Sequence, residues 1–218
     1  MKVCTDACLL GAWFSTKIPQ QATVLDIGAG TGLLMMMLAQ RSQARIHGIE
    51  IDPAAYAQLK ENTGQNDWSQ RLQVFAGDAR TYPFPLKYDL IISNPPFFES
   101  DLLSTDHREQ IAKHSKHLTL DALINTMADN LQPRGAFGIL LPFHRWEYFD
   151  KLAAQHHFSL SEKLVVRQTP KHDPFRALLY YTRNQHNMVT TFDLTIKQTD
   201  GAYTPEFVEL LTDYYLYL

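Results

Sequence analysis

Val24-Leu25-Asp26-Ile27-Gly28-Ala29-Gly30-Thr31-Gly32 is an apolar run that ends in three glycines on alternate positions. The run reads as a buried strand, Thr23–Ile27. The apolar stretch after the glycines, Leu33–Arg41, reads as a helix. Glycine lets the backbone turn sharply at the strand end and approach a ligand closely. A strand, a tight turn and a helix are the opening of a parallel sheet with helices on its faces. The crevice at the carboxyl ends of such strands is the usual ligand site.

The alternation continues downstream. Arg45–Glu50 reads as a second strand, and Pro53 starts a helix over 54–62. Leu72–Ala76 and Tyr88–Ser93 are two more strands. Residues 118–130 repeat apolar side chains at helical spacing through Leu120, Leu123, Ile124 and Met127. A turn at Pro133-Arg134-Gly135 leads into a strand over 136–141, and Trp146–Gln155 is helical. Strands over 163–166, 178–183 and 192–196 follow, at least one pair antiparallel. A helix over 205–215 closes the pattern. The expected architecture is α/β, with a mostly parallel sheet covered on both faces. Residues 98–117 lack a clear pattern, and long connections of that kind are usually functional.

A chain of 218 residues fits one domain, 1–218, with a real core. With 45% apolar and 20% charged residues it folds on its own. The net charge of −3 argues against a surface that grips nucleic acid all over, so any positive contact region must be local. Cys4 and Cys8 are too few for a disulfide framework or a cysteine-only zinc site, and they read as small buried side chains. No apolar run approaches the roughly 20 residues that cross a bilayer. The opening Met1-Lys2-Val3-Cys4-Thr5-Asp6 is no convincing signal peptide. The expected location is the cytoplasm.

The glycine spacing narrows the ligand. Dinucleotide sites favour Gly-x-Gly-x-x-Gly, which seats a pyrophosphate on a helix N-terminus. Here Gly28, Gly30 and Gly32 follow Gly-x-Gly-x-Gly, and Asp26 precedes them. A carboxylate there repels pyrophosphate and suits a ligand carrying an ammonium and a sulfonium. The second chemical motif is Asn94-Pro95-Pro96-Phe97, directly after the strand Tyr88–Ser93. Two prolines stiffen the backbone and remove two amide donors, leaving fixed carbonyl acceptors. The Asn94 side-chain oxygen and the Pro95 carbonyl can orient an amine, while Phe97 offers a face for a stacked base, worth roughly 1–3 kcal/mol. Such a site works by holding amine and electrophile in near-attack geometry and needs no tuned general base.

The glycine turn resembles the first motif of class I S-adenosylmethionine methyltransferases. That resemblance implies their Rossmann-like fold with a seven-stranded sheet. It implies that Glu50 takes the ribose hydroxyls, and that Asp78, followed by Ala79, accepts from the adenine amino group. Asn94-Pro95-Pro96-Phe97 resembles the signature of amino-group methyltransferases, which act on adenine N6, guanine N2 or a glutamine amide. The opening Met-Lys-Val-x-Thr-Asp-x-x-Leu-Leu-Gly-Ala-Trp segment is similar to that of bacterial tRNA1(Val) adenine-37 N6-methyltransferases. So are Asn66-Asp67-Trp68 and Tyr203-Thr204-Pro205-Glu206-Phe207. The implied reaction is methylation of the adenosine beside the anticodon. Lys2, Thr5 and Asp6, within a cofactor-lining segment 1–20, are implied cofactor contacts. Read without the resemblance, that segment is a surface strand or a helix cap. Phe97 stands where this family often has Tyr, which leaves a guanine-N2 ribosomal RNA enzyme as the alternative. A non-catalytic RNA-binding protein on the same fold is a third reading. The family usually carries further residues before the point where this chain begins, so a preceding segment is expected.

Residues 106–117 concentrate basic side chains and histidines just after the reactive motif. Arg108, Lys113 and Lys116 there, with Arg167, Lys171 and Arg176, are candidate phosphate contacts for tRNA. Arg134, His144, Arg145 and His172 extend the same set. Phosphate contacts give affinity without sequence information. The histidines suggest metal, but the implied chemistry needs none, and none is expected. Replacing Arg108, Lys113 and Lys116 together with Ala weakens RNA binding and leaves cofactor affinity intact. Unchanged RNA affinity in a filter-binding titration would overturn that expectation.

Overall fold

The computed structural model describes residues 4–96, 118–184 and 188–217. In chain order the elements are α1 (Thr5–Ser15), β1 (Thr23–Ile27), α2 (Leu33–Arg41), β2 (Arg45–Glu50), α3 (Pro53–Gly64), β3 (Leu72–Ala76) and β4 (Tyr88–Ser93). Then come α4 (Leu120–Asn130), β5 (Leu131–Pro142), α5 (Trp146–Gln155), β6 (Ser159–Arg167), β7 (Arg176–Thr182), β8 (Thr190–Thr195) and α6 (Pro205–Leu211). Side-chain caps explain several helix starts. Asp52 accepts from the Ala55 amide at 2.7 Å, ahead of Pro53. Thr119 accepts from Ala122 at 3.1 Å, and Thr204 from Phe207 at 3.2 Å. Each satisfies one of the orphan amides of a first helical turn.

The strand order is β3-β2-β1-β4-β5-β7-β6-β8. Strands β1 to β5 are mutually parallel. Among the described strands only β7 is reversed, antiparallel to both β5 and β6, and β8 lies parallel to β6. The sheet therefore has eight strands among the described residues, where seven are expected. The added edge strand stays because Leu194 and the following Ile196 are buried, while Asp193 pairs with Arg167 of β6. The order reverses between β1 and β4. That switch point puts the glycine turn and the Asn-Pro-Pro motif side by side.

The turn expected at Pro133-Arg134-Gly135 lies inside β5. Tyr88 pairs with Leu131 and Leu90 with Ala136, so the three residues form an irregularity in the register. Gly135 is tight there: a β-carbon would fall 2.9 Å from the Tyr88 carbonyl oxygen.

The segment expected as a surface strand or cap is the helix α1, and most of it is buried. Leu9, Leu10, Ala12 and Phe14 leave almost no surface. The helix shows no stripe because α2, α6 and the sheet surround it. A helix apolar all round is a buried helix. Its Phe14 ring lies against Gly138 of β5, where a β-carbon would come within 2.1 Å of Phe14 Cζ. Cys8 is buried as expected, whereas Cys4 is exposed.

Two apolar layers sandwich the sheet. One joins α1, α2 and α6 to Val24, Ile46 and Leu178. The other sets α4 and α5 against Ile27, Ile91 and Phe137, with Phe137 stacked on Tyr181 at 4.8 Å. No helix among the described residues is long and apolar enough to cross a membrane.

Gly138→Ala lowers stability by about 1–3 kcal/mol, because the β-carbon must displace the Phe14 ring. Phe14→Leu in the same chain recovers part of that loss. Urea unfolding reads both effects, and an unshifted midpoint for Gly138→Ala would contradict this packing.

Candidate active site

Hydrogen bonds at the carboxyl ends of four neighbouring strands build the site. The Gly28 and Ala29 amides of the β1 turn both donate to the Ile49 carbonyl of β2 at 3.0 Å. The Gly77 amide after β3 donates to the Glu50 carbonyl at 2.9 Å. The Ser93 hydroxyl of β4 donates to the Ile27 carbonyl of β1 at 2.8 Å. The turn itself is left-handed at Gly28 (φ 77°), Gly30 (φ 57°) and Gly32 (φ 89°), a conformation that favours glycine. A β-carbon at Gly28 would meet nothing within 4 Å, so this backbone faces open space. At Gly32 it would fall 2.8 Å from Leu59 Cδ1, so this glycine also permits close packing on α3.

Glu50 closes β2 with its side chain nearly buried. One carboxylate oxygen accepts from the Gly30 amide at 2.9 Å and the other from the Asp52 amide at 2.8 Å. Asp26 is wholly buried, and neither oxygen has a hydrogen-bond partner among the described residues. Burial pushes its carboxyl up to about 8, and the Glu50 charge adds to the effect. A buried carboxyl without partners among the described residues, next in sequence to an open backbone cradle, can take a cationic ligand group.

Asp78 follows β3 and is paired. Its carboxylate holds the Arg80 guanidinium, the closest contact at 2.5 Å, and accepts the Arg80 amide at 2.9 Å. The bonds from Arg80 keep the Asp78 carboxyl below the usual carboxylate range. Ala79 beside it is buried. Ile51, between Glu50 and Asp52, is 58% exposed at the mouth of the site. Sequence reasoning passed over it. The available signal was a large apolar residue just beyond a strand-ending acid, where the chain should already be polar.

At the end of β4, Asn94 is half-buried, Pro95 is buried and Pro96 is exposed. The Asn94 Oδ1 atom is buried and has no hydrogen-bond partner among the described residues. Phe97 and Lys2 lie outside the described residues, as do Arg108, Lys113 and Lys116. Thr5 is exposed at the start of α1. Asp6, expected to contact cofactor, bonds Arg176 at 2.7 Å, a residue expected to contact phosphate. Arg167 likewise pairs with Asp193, whereas Lys171 is exposed. Arg167 ends β6 and Arg176 begins β7, so these residues and Lys171 share the Asn94 end of the sheet. Among the described residues no group of three or more His, Cys, Asp or Glu side chains could hold a metal ion.

Fold and site together define a class I methyltransferase. Residues 7–144 match the methyltransferase small domain family. A tRNA1(Val) (adenine(37)-N6)-methyltransferase of Dyadobacter fermentans is 40% identical, over 99% of this chain and 91% of that protein. Proteins of the same name from Bacteroides thetaiotaomicron (38%, covering 100% and 92%) and Serratia proteamaculans (39%, covering 100% and 84%) are similar. The chain belongs to the tRNA1(Val) (adenine(37)-N6)-methyltransferase family, within the methyltransferase small domain family. Among solved structures, a predicted O-methyltransferase, Atu636 of Agrobacterium tumefaciens, superposes with a TM-score of 0.73 at 18% identity, covering 94% and 95% of the two chains. The glycopeptide N-methyltransferase MtfA, complexed with S-adenosylmethionine, gives 0.61 at 10% identity, covering 84% and 90%. These two likenesses are of fold.

A cation seated against Asp26 favours its ionised form, so ligand binding below about pH 8 releases a proton. Of the charged groups nearby, Glu50 of β2 bonds the Gly30 and Asp52 amides and opposes ionisation of Asp26, while Asp6 of α1 is held by Arg176 and Arg41 of α2 by Asp213. S-adenosylmethionine affinity should therefore rise from pH 6 to pH 8, by up to about tenfold per unit, and level off above. Asp26→Asn should bind more weakly, with a flat profile. Calorimetry across this range tests the point, and a flat parent profile would exclude it.

Proposed function

We propose that this protein transfers the methyl group of S-adenosylmethionine to the N6 amine of an adenosine in tRNA, the substrate its relatives' names state being adenosine 37 of tRNA1(Val). The observation that carries the reading is the buried, unpartnered Asn94 Oδ1 at the end of β4, next to the glycine turn. A buried acceptor without a donor costs stability unless a ligand supplies one.

The cofactor supplies an electrophilic methyl group on a sulfonium. The remaining work belongs to the chain. Asn94 Oδ1 and the Pro95 carbonyl accept the two N6 hydrogens and aim the nitrogen lone pair at the methyl. Pro95 and Pro96 keep those acceptors still. On receiving the methyl group the N6 nitrogen would gain positive charge, which the Asn94 and Pro95 oxygens would offset until its proton passed to solvent. Phe97 stacks the adenine in this reading. On the cofactor side, Asp26 faces the cation, Glu50 uses its remaining lone pairs on the ribose hydroxyls, and Asp78 accepts from the adenine amino group. Ile51 offers that base an apolar face. Gly28, Gly30, Gly32 and Ala79 line the pocket, and Lys2, Thr5 and Asp6 close it.

The phosphate contacts of the tRNA fall to Arg108, Lys113 and Lys116, and to Lys171 with Arg167 and Arg176 at the same end of the sheet. The relatives' names favour adenine over guanine as the target base. A non-catalytic RNA binder would have no use for the Asn94 acceptor. The chain works as one domain, 1–218, in the cytoplasm. One apolar layer containing both Cys8 and Leu211 supports the single-domain reading.

Asn94→Ala should slow single-turnover methyl transfer to tRNA1(Val) by about 10²–10³-fold. Cofactor affinity should barely change. Transfer near the parent rate would refute the role given to Asn94.

A further inference from the structure

Beyond Asn94, the motif needs something to set its distance from the cofactor turn. The prolines cannot do so, because Pro95 and Pro96 have no amide hydrogen to donate to a neighbouring strand. The tie just before them is made by a side chain. Ser93 is fully buried, and its hydroxyl donates to the Ile27 carbonyl at 2.8 Å. Ser93 and Ile27 are register partners at the end of the β1–β4 pair. Ile27 directly precedes Gly28, and Ser93 directly precedes Asn94. One hydrogen bond thus joins the last residue before the cofactor turn to the last residue before the reactive motif.

We infer that Ser93 is a positioning residue for methyl transfer: its hydroxyl fixes the separation between the β1 glycine turn and Asn94, and so between donor methyl and acceptor amine. The other cross-ties of the site are of a different kind. Gly28, Ala29 and Gly77 bind β2 through backbone amides, which any residue except proline supplies. On top of the backbone pairing of β1 with β4, the Ser93 bond adds a tie that depends on the chemistry of one side chain. In-line transfer is sensitive to distance, and a misplacement of about 1 Å costs on the order of 10²-fold in rate. Ser93 touches neither substrate nor cofactor in this scheme. It acts through the placement of Asn94.

The inference rests on the proposed adenine-N6 reaction, and its test separates the two. Parent, Ser93→Ala, Ser93→Thr and Ser93→Val are assayed in single turnover with S-adenosylmethionine and a tRNA1(Val) transcript, both saturating. Thr and Val have the same shape and differ by the hydroxyl, so any strain from the added methyl cancels in their comparison. Cofactor Kd, RNA Kd and thermal midpoint are recorded for each. The expected result is a rate about 10–100-fold lower in Ser93→Ala and Ser93→Val, with both Kd values little changed. Ser93→Thr should run at least about tenfold faster than Ser93→Val. A purely structural serine would lower the thermal midpoint and leave the rate of the folded enzyme alone. A parent-like rate in Ser93→Ala, or equal rates in the Thr and Val variants, overturns the inference. A parent that methylates no adenosine overturns the proposed reaction instead.

Discussion

The Glu50 carboxylate holds two turns at once, with one oxygen on the Gly30 amide and the other on the Asp52 amide. The first turn leads from β1 into α2, and the second leads from β2 into α3. Both must diverge from adjacent strands without closing the crevice between them. A carboxylate bonded to two backbone amides keeps them apart at a fixed spacing, and such charge-assisted bonds are the strong ones. The neighbouring Asp26 carboxyl is buried without a hydrogen-bond partner among the described residues, and the Glu50 charge helps to hold its proton on. The open cradle at Gly28 depends on the spacing that Glu50 sets.

Rigidity on the other side of the site comes from packing. Helix α1 is lodged between α2, α6 and the sheet, with Phe14 filling the space that Gly138 leaves. The Asp6–Arg176 ion pair fastens the start of α1 to the start of β7. Helix α1 is therefore continuous with the antiparallel half of the sheet. A shift of β7 would be felt at the first turn of α1.

Much of the parallel half is legible in the amino-acid sequence. Strands β1 to β4 and helix α2 keep their expected bounds, because each strand run is cut off at its carboxyl end by glycine, acid or Asn-Pro, and α2 starts directly after Gly32. The acids Asp26, Glu50 and Asp78 fall at strand ends as expected. The features that local patterns miss have physical causes. Helix α1 is apolar all round, so it shows no period. Pro133-Arg134-Gly135 has the composition of a turn, yet the strand continues through it by slipping register against β4. Asp6 and Arg176 are expected on two different ligands, and they hold each other across 170 positions, a pairing no local pattern reveals. Ser93 carries no motif at all. Its importance comes from the carbonyl it meets on the neighbouring strand.

The solitude of Asp26 also bears on how long the free protein survives. An unfolded chain gives up this proton near the ordinary carboxylate value, whereas the folded chain keeps it up to about 8. Between those values the folded state binds more protons, so this group's contribution to stability falls as pH rises through the window and stays low above it. Cofactor occupancy is expected to move the other way over the same range. Mildly acidic conditions thus favour the empty enzyme, and mildly alkaline ones give bound ligand a larger share in stability. Substituting Asn at position 26 would relieve that dependence and make the empty protein hardier. A screen for thermal tolerance alone would select such a change, and in doing so would remove the carboxyl that the proposed function sets against the cofactor.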